Sequence, residues 1–228
     1  MPLKIISSNV IATVQFKKAN PIKWEEFQEH LKSIEITQFG EGEARTDEGA
    51  RSVALAAVHK DGQIVYTPDT RQILINGTAL EPTLRLFAEV LRMVTEIFGS
   101  SERMKANANF YEVQVKGEVE TDAATPLEIM NHITPPGLFQ PFESVMNVGP
   151  LGLFSYRFYY TPVKVDEPIR KVVPWYDLQF FPGVMNPDRF IIHIVSRDVS
   201  AETSMNTARN LDERLRQYLA EKERELSG

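Results

Sequence analysis

The same local pattern occurs twice in this chain: an alternating strand, a turn, and a helix that begins with a cap and a proline. The first copy has Asn20 before Pro21, and the second has Thr125 before Pro126. Asn and Thr are favoured N-caps, and Pro is favoured at the first helical position. The offset of 105 residues that places Asn20 on Thr125 also aligns the strands. The aligned pairs are Val10 with Val115, Ala12 with Gly117, Val14 with Val119 and Ala19 with Ala124. The repetition predicts two related half-domains.

Each half continues with strands and ends in a long helix. In the first half, Asp61-Gly62 predicts a hairpin turn. A helix is predicted to begin at Thr78, with Glu81 in a capping-box position, and to end at Gly99. The final helix is predicted from about Ser200, with its last turns frayed. The strand patterns cover residues 52–62, 63–68 and 71–77, then 151–161, 175–183 and 188–196.

The order of strand, helix, strands and helix therefore occurs twice, with a period too long for a solenoid repeat. We predict an α+β protein of two half-domains, residues 1–105 and 106–228, with a mainly antiparallel sheet and the helices on one face. Over nearly the whole chain this order resembles the TATA-binding-protein fold, in which two such halves form a curved sheet with helices on its convex side. The resemblance concerns element order, so the DNA-binding residues of that family are not transferred.

Two segments differ between the halves. Residues 40–51 are acidic and Gly-rich, and residues 162–174 form a Pro- and charge-rich insertion in the second half. Both compositions are typical of solvated connectors. Either segment could instead be a lid or a partner-docking loop.

Aromatic residues occupy every second position of one predicted strand: Phe154, Tyr156, Phe158 and Tyr160. This spacing places the four rings on one side of a sheet. The favoured interpretation is core or protein interface, because aromatic strand residues usually pack against neighbours. A stacking platform for bases or a flat ligand and an apolar pocket with Tyr hydroxyls at its rim are alternatives.

His193 interrupts an otherwise apolar strand. The default interpretation is a core histidine with a hydrogen-bond partner, and the alternative is a titrating or catalytic group near Tyr156 or Asp177. Asp177 and Asp188 could form a carboxylate pair, and Glu26 and His30 are spaced to share a metal but fit an exposed helical pair better. No nucleophile, base and oxyanion site can be assembled, so we predict no catalytic residues, no metal site and no cofactor.

Composition narrows the classes of function. A net charge of −6 disfavours binding to duplex nucleic acid, and the absence of cysteine excludes disulfides and thiolate chemistry. No basic, apolar leader and no membrane-length apolar run is seen, so a cytoplasmic protein is expected. We predict a soluble binding or interaction protein; a hydrolase using carboxylates or His193 and a nucleic-acid-associated protein are the alternatives.

A homo-oligomer is also expected from the distribution of apolar residues. Residues 53–58 and 190–195 are apolar on both strand faces, and the helix of residues 83–98 has two apolar stripes. One layer of helices cannot bury all of this surface, and symmetric self-association is the commonest solution. The competing explanation is that the insertion at residues 162–174 folds back over the second sheet face.

Overall fold

The computed structural model describes residues 2–19, 21–45, 51–135, 138, 153–162 and 172–227. In chain order the strands are β1 Ile5–Phe16, β2 Ile36–Arg45, β3 Arg51–His59, β4 Gly62–Thr67, β5 Gln72–Gly77, β6 Ala108–Glu120, β7 Tyr156–Tyr160, β8 Trp175–Pro182 and β9 Arg189–Asp198. The helices are α1 Trp24–Leu31, α2 Leu80–Phe98, α3 Ser101–Asn107, α4 Pro126–Ile133 and α5 Ala201–Ser227.

The strands described here form one nine-stranded sheet in the order β2-β3-β4-β5-β1-β6-β9-β8-β7. Every neighbouring pair is antiparallel, so the predicted α+β class with a mainly antiparallel sheet is confirmed. Strands β1 and β6 meet at the centre, where Val10 lies directly opposite Val115. All strands of residues 1–105 lie on the β1 side of this junction, and all later strands lie on the β6 side.

Buried strand residues form clusters with helix residues, and we call the sheet face that carries these strand residues the helix-packed face. On β1 and β5, residues such as Val14 and Ile73 share a buried cluster with Phe87 and Val90 of α2. On β9, Ile192 shares a second cluster with residues of α4 and α5. The alternate strand residues point the other way because side chains alternate along a strand. None of them belongs to either cluster, and we call this side the second face.

The double apolar stripe of α2 is buried within the chain. Leu84, Phe87 and Val94 of one stripe and Leu86 and Met93 of the other are all buried. Helix α2 contacts the sheet on one side and also α1 and α3. This helix therefore does not require a partner chain, and the argument for self-association rests on the second face alone.

Helix starts agree with the sequence in the second half and differ in the first. Helix α4 begins after Thr125 with the predicted capping box to Glu128. Helix α1 begins only at Trp24, after Lys23, whose side chain makes no capping bond. The prediction that Pro21 is the first helical residue is therefore wrong, and Asn20 lies outside the described residues.

Helix α2 also begins later than predicted. Its N-cap is Ala79, without a side-chain capping bond, so the capping box of Thr78 and Glu81 is wrong. Strand β5 continues to Gly77, and the carbonyl of Thr78 accepts a hydrogen bond from Ser8. These tertiary contacts hold Thr78 outside the helix, and Ala79 is extended. The helix does end at Gly99, which has a left-handed φ of 78°.

Two elements escaped the sequence patterns, and a third begins later than predicted. Residues 40–45, predicted as loop, belong to β2 and pair with β3. This strand is largely exposed and therefore lacks the apolar alternation that marks a half-buried strand. The short helix α3 was not predicted, and β7 begins at Tyr156, which leaves Phe154 outside the strand.

The last turns of α5 are not frayed as predicted. The helix continues to Ser227. Near its end, the buried carboxylate of Glu223 accepts the backbone N–H groups of Asp122 and Ala123 at 2.6 and 2.7 Å. This contact ties the end of α5 to the turn before α4.

Candidate functional site

Strand β7 carries the aromatic row that the sequence identified. Tyr156, Phe158 and Tyr160 lie opposite Phe180, Leu178 and Tyr176 of β8, so they point to the helix-packed face. The ring planes of Tyr156 and Phe158 are 7° apart with centroids separated by 5.9 Å, and Tyr160 stacks on Tyr176 with planes 4° apart. These three strand rings lie on one face of the sheet, and we call them the aromatic surface.

Most of this aromatic surface is open to solvent. Phe158 is 54% exposed and Tyr160 58% exposed. Phe154 is 50% exposed, but its ring lies next to Phe181, which is on the second face, so the prediction that all four rings share one side is wrong for Phe154. Tyr156 is half-buried, and its hydroxyl donates a hydrogen bond to the carbonyl of Ile133. Exposed aromatic residues grouped in this way are typical of surfaces that bind a ligand or a partner.

An open groove of about 230 Å³ lies between this aromatic surface and α5. Its floor is formed by Tyr156, Phe158, Leu178 and Phe180. Its wall is formed by Ile133 and by four residues of α5: Leu211, Arg214, Leu215 and Tyr218. Among the described residues that line the groove, Arg214 is the only charged one. The rings and the leucines together make an apolar trough beside one guanidinium group.

His193 lies on the other side of the sheet. It pairs with Lys116 on β6 and with Gln179 on β8, and Gln179 pairs in turn with Arg157. The five predicted site residues therefore do not form one site, and a catalytic role of His193 beside Tyr156 is excluded by their opposite orientations.

The surroundings of His193 lower its pKa below the ordinary value of 6.5. Burial lowers its pKa, the nearby cations Lys116 and Arg157 also lower it, and Asp177 and Glu112 act in the opposite direction. Burial is the largest of these effects because it disfavours the charged imidazolium.

The carboxylates near His193 are already paired. Arg157 donates to Asp177 through Nη2 at 2.6 Å, and this pair raises the pKa of Arg157. Arg197 donates to Glu112 through Nε at 2.6 Å, with both side chains nearly buried. Paired carboxylates are poor general bases because the neighbouring cation stabilises their ionised form.

The other predicted pairs are not formed. Asp177 lies in the middle of β8 opposite Val195, whereas Asp188 precedes β9 at the far end of that hairpin. The ring of His30 lies 3.5 Å from Glu96 of α2, so Glu96 is its carboxylate neighbour. No carboxylate dyad is therefore present at these positions.

The second face differs between its two parts. On β1 to β5, no described second-face side chain is ionisable. These residues are Asn9, Ile11, Thr13, Gln15, Gln38, Gly40, Gly42, Ser52, Ala54, Ala56, Val58, Gln63, Val65, Thr67, Gln72, Leu74 and Asn76. We call this area the uncharged surface. On β6 to β9 the same face carries Glu112, Lys116, Glu118, Arg157, Asp177, Arg189, His193 and Arg197, which we call the charged surface.

Sequence reasoning missed the uncharged surface and the contribution of α5 to the groove. The surface depends on which strands are neighbours, and strand order is not visible in the chain. Arg214 and Tyr218 are four residues apart and so share one helix face. That spacing predicts that the two side chains lie together on α5. Only the fold brings them beside the aromatic strand.

Comparison with known proteins gives no assignment. No protein-family model matches the chain. A search of the curated proteins finds no significant match. Within the described ranges, no three His, Cys, Asp or Glu side chains are grouped as a metal site would require. No described helix is long and apolar enough to cross a membrane.

Proposed function

We propose that this is a non-catalytic interaction protein that associates with a second copy of itself through the uncharged surface. The observation that carries this proposal is the absence of ionisable side chains from the described second face of five neighbouring strands. Burying a charged group without a partner costs several kcal/mol, and this surface avoids that cost.

The composition of the uncharged surface fits a sheet-on-sheet contact. Ala54 and Ala56 are small and half-exposed, and Gly40 has no atom within 4 Å of the position a Cβ would occupy. Val65 and Leu74 lie directly opposite each other and remain half-exposed. Two such faces can approach closely, as the inner faces of a β-sandwich do at about 10 Å. A second copy supplies the same uncharged and partly apolar surface by symmetry.

The proposal extends to the origin of the fold. An internal duplication like that of the TATA-binding-protein fold, with the helices on one face, is supported by the strand order around the β1–β6 junction. The 105-residue offset makes Val10 equivalent to Val115, and these two residues are direct cross-strand partners. A local twofold axis through this pair would relate the two halves. The cysteine-free composition is consistent with a reducing cytoplasm.

Two other functions are proposed as alternatives: a hydrolase and a nucleic-acid-associated protein. A hydrolase would have to use His193, whose pKa is lowered by burial and which lies near Asp177. The nearby carboxylates of Asp177 and Glu112 are both ion-paired, which disfavours this role. A nucleic-acid-associated protein would use the exposed rings, and would show salt-dependent binding of single-stranded oligonucleotides. Hydrolytic assays of the wild type and a His193→Ala variant test the first, and electrophoretic shifts at two salt concentrations test the second.

Sedimentation equilibrium tests the self-association. We expect a species of twice the 25.9 kDa chain mass at micromolar concentration. The variant Val65→Lys adds a cation to the uncharged surface and should weaken the dimer by at least about tenfold, because the two lysines must be desolvated. The matched control, Gln114→Lys, adds the same charge on the charged surface and should leave the dimer intact.

Two results would contradict the proposal. The first is a wild-type monomer whose mass stays unchanged on tenfold concentration. The second is equal weakening by Val65→Lys and Gln114→Lys, which would move the contact away from the uncharged surface. Circular dichroism of each variant verifies that the fold is retained.

A further inference from the structure

We propose that the groove between the aromatic surface and α5 binds a small aryl carboxylate. The ring of the ligand would lie on the aromatic floor, and its carboxylate would bind Arg214. This inference does not depend on self-association, because the groove opens on the helix-packed side and the uncharged surface on the other.

The floor of the groove suits a flat ring. Tyr156 stacks on Phe180 with centroids 5.4 Å apart and planes 17° apart, and Phe158 continues the same stack. Aromatic rings prefer offset stacking with centroid distances in this range. The groove volume of about 230 Å³ lies below the ~300–1,000 Å³ of pockets for drug-sized ligands, so we propose a small ligand with one ring system.

The charge at the rim specifies the polar end of the ligand. In the described part of the chain, Arg214 has no hydrogen bond or ion pair, although it is exposed beside the groove. The two acidic residues that precede it are engaged elsewhere: Asp212 accepts from Arg216, and Glu213 accepts from Gln217. The guanidinium is therefore available to a ligand, and its planar fork matches a carboxylate with two hydrogen bonds.

A second cation lies along the same wall. The ammonium group of Lys222 lies 5.7 Å from the ring centroid of Tyr218 and is paired with Glu225. Because Glu225 neutralises Lys222, the groove offers one net positive group rather than two. This favours a singly charged carboxylate over a phosphate ester.

Isothermal titration calorimetry with three matched probes tests the proposal. The probes are naphthalene-2-carboxylate, naphthalene-2-methanol and naphthalene-2-methylamine, which share the ring and differ in charge. We expect the carboxylate to bind at least about tenfold more tightly than the alcohol, since hydrogen bonds to charged groups are the stronger ones. The amine should bind most weakly.

Variants of exposed residues separate the two parts of the site. Arg214→Gln should remove the preference for the carboxylate and leave the alcohol unaffected, and Arg214→Lys should keep part of that preference. Phe158→Ala should weaken both probes. Arg209→Gln, the control, removes the same charge from α5 at an arginine that pairs with Glu81 away from the groove, and should change nothing.

The proposal is overturned if the carboxylate binds no more tightly than the alcohol, or if Arg214→Gln and Arg209→Gln have equal effects. Sedimentation of the wild type, with and without the carboxylate, measures self-association separately from the calorimetric measurement of carboxylate binding. The two proposals can therefore fail independently. Loss of carboxylate binding with an intact dimer contradicts only the groove, and a monomer that still binds the carboxylate contradicts only the self-association.

Discussion

The two parts of the second face occupy one continuous sheet and have different electrostatics. From β1 to β5 the described side chains are uncharged, with valine, leucine, isoleucine and alanine beside amides and hydroxyls. From β6 to β9 charges of opposite sign face each other across neighbouring strands, as Glu112 faces Arg197. The boundary between the two parts lies at the β1–β6 junction, where Thr13 pairs with Glu112.

This difference shows two ways in which the described part of the second face can be stabilised. The charged surface pairs opposite charges with each other, as Arg157 with Asp177 and Arg197 with Glu112, and therefore can remain in water. The uncharged surface leaves Val65 and Leu74 half-exposed, so it gains free energy when another surface covers it. The comparison therefore fits the proposed contact with a second copy in the first half and shows internal ion pairing in the second.

The largest expected effect is the loss of the central ion pair. Arg197→Met leaves the carboxylate of Glu112, which is 6% exposed, with only the Gln114 amide as a bonded partner. Breaking a buried pair from one side costs about 3 kcal/mol of unfolding free energy. Thr13→Val, at the neighbouring position on the uncharged surface, should cost less than about 1 kcal/mol. Urea denaturation of both variants measures the contrast.

A double variant completes this experiment. Adding Glu112→Leu to Arg197→Met removes the unpaired carboxylate and should recover most of the lost stability, because an apolar pair can replace a buried ion pair. If the single and double variants are equally unstable, the destabilisation comes from lost packing of Arg197, whose guanidinium lies 4.7 Å from the Phe110 ring.

Helix capping gives a smaller contrast between the halves. Thr125→Ala removes the side-chain bond to the Glu128 N–H at 3.3 Å and should cost about 1 kcal/mol. Lys23→Ala, at the corresponding cap of α1, should change stability by less than about 0.5 kcal/mol, since Lys23 makes no capping bond. Thermal unfolding by calorimetry measures both. Equal losses of stability in the two variants would contradict this contrast between the two helix caps.

The smallest effect concerns the pH dependence of the charged surface. Burial lowers the folded-state pKa of His193 below its ordinary value of 6.5. The unfolded chain therefore binds this proton more readily, and the unfolding free energy falls as the pH decreases from about 6.5 through the lower folded-state pKa. His193→Gln should remove this part of the decrease. Denaturation midpoints measured between pH 7.5 and 5 test it, and parallel curves for the two proteins would contradict it.

Local chemistry was sufficient to predict several elements of the fold. The strands of residues 62–67, 72–77 and 175–182, the αL end of α2 at Gly99 and the capping box of α4 follow from turn residues, alternation and caps. Each of these signals acts between residues a few positions apart. Strand β2 was missed because most of its residues are exposed, so it lacks the regular apolar alternation that marks a half-buried strand.

The candidate sites depended on contacts between distant residues. The sequence by itself determined that Tyr156, Phe158 and Tyr160 share one side of a strand and that His193 interrupts an apolar one. Only the tertiary structure decided that these residues lie on opposite faces, because the order and register of paired strands set which faces coincide. The same pairing brings Arg214 of α5 to the aromatic floor and collects the uncharged residues of five strands into one surface.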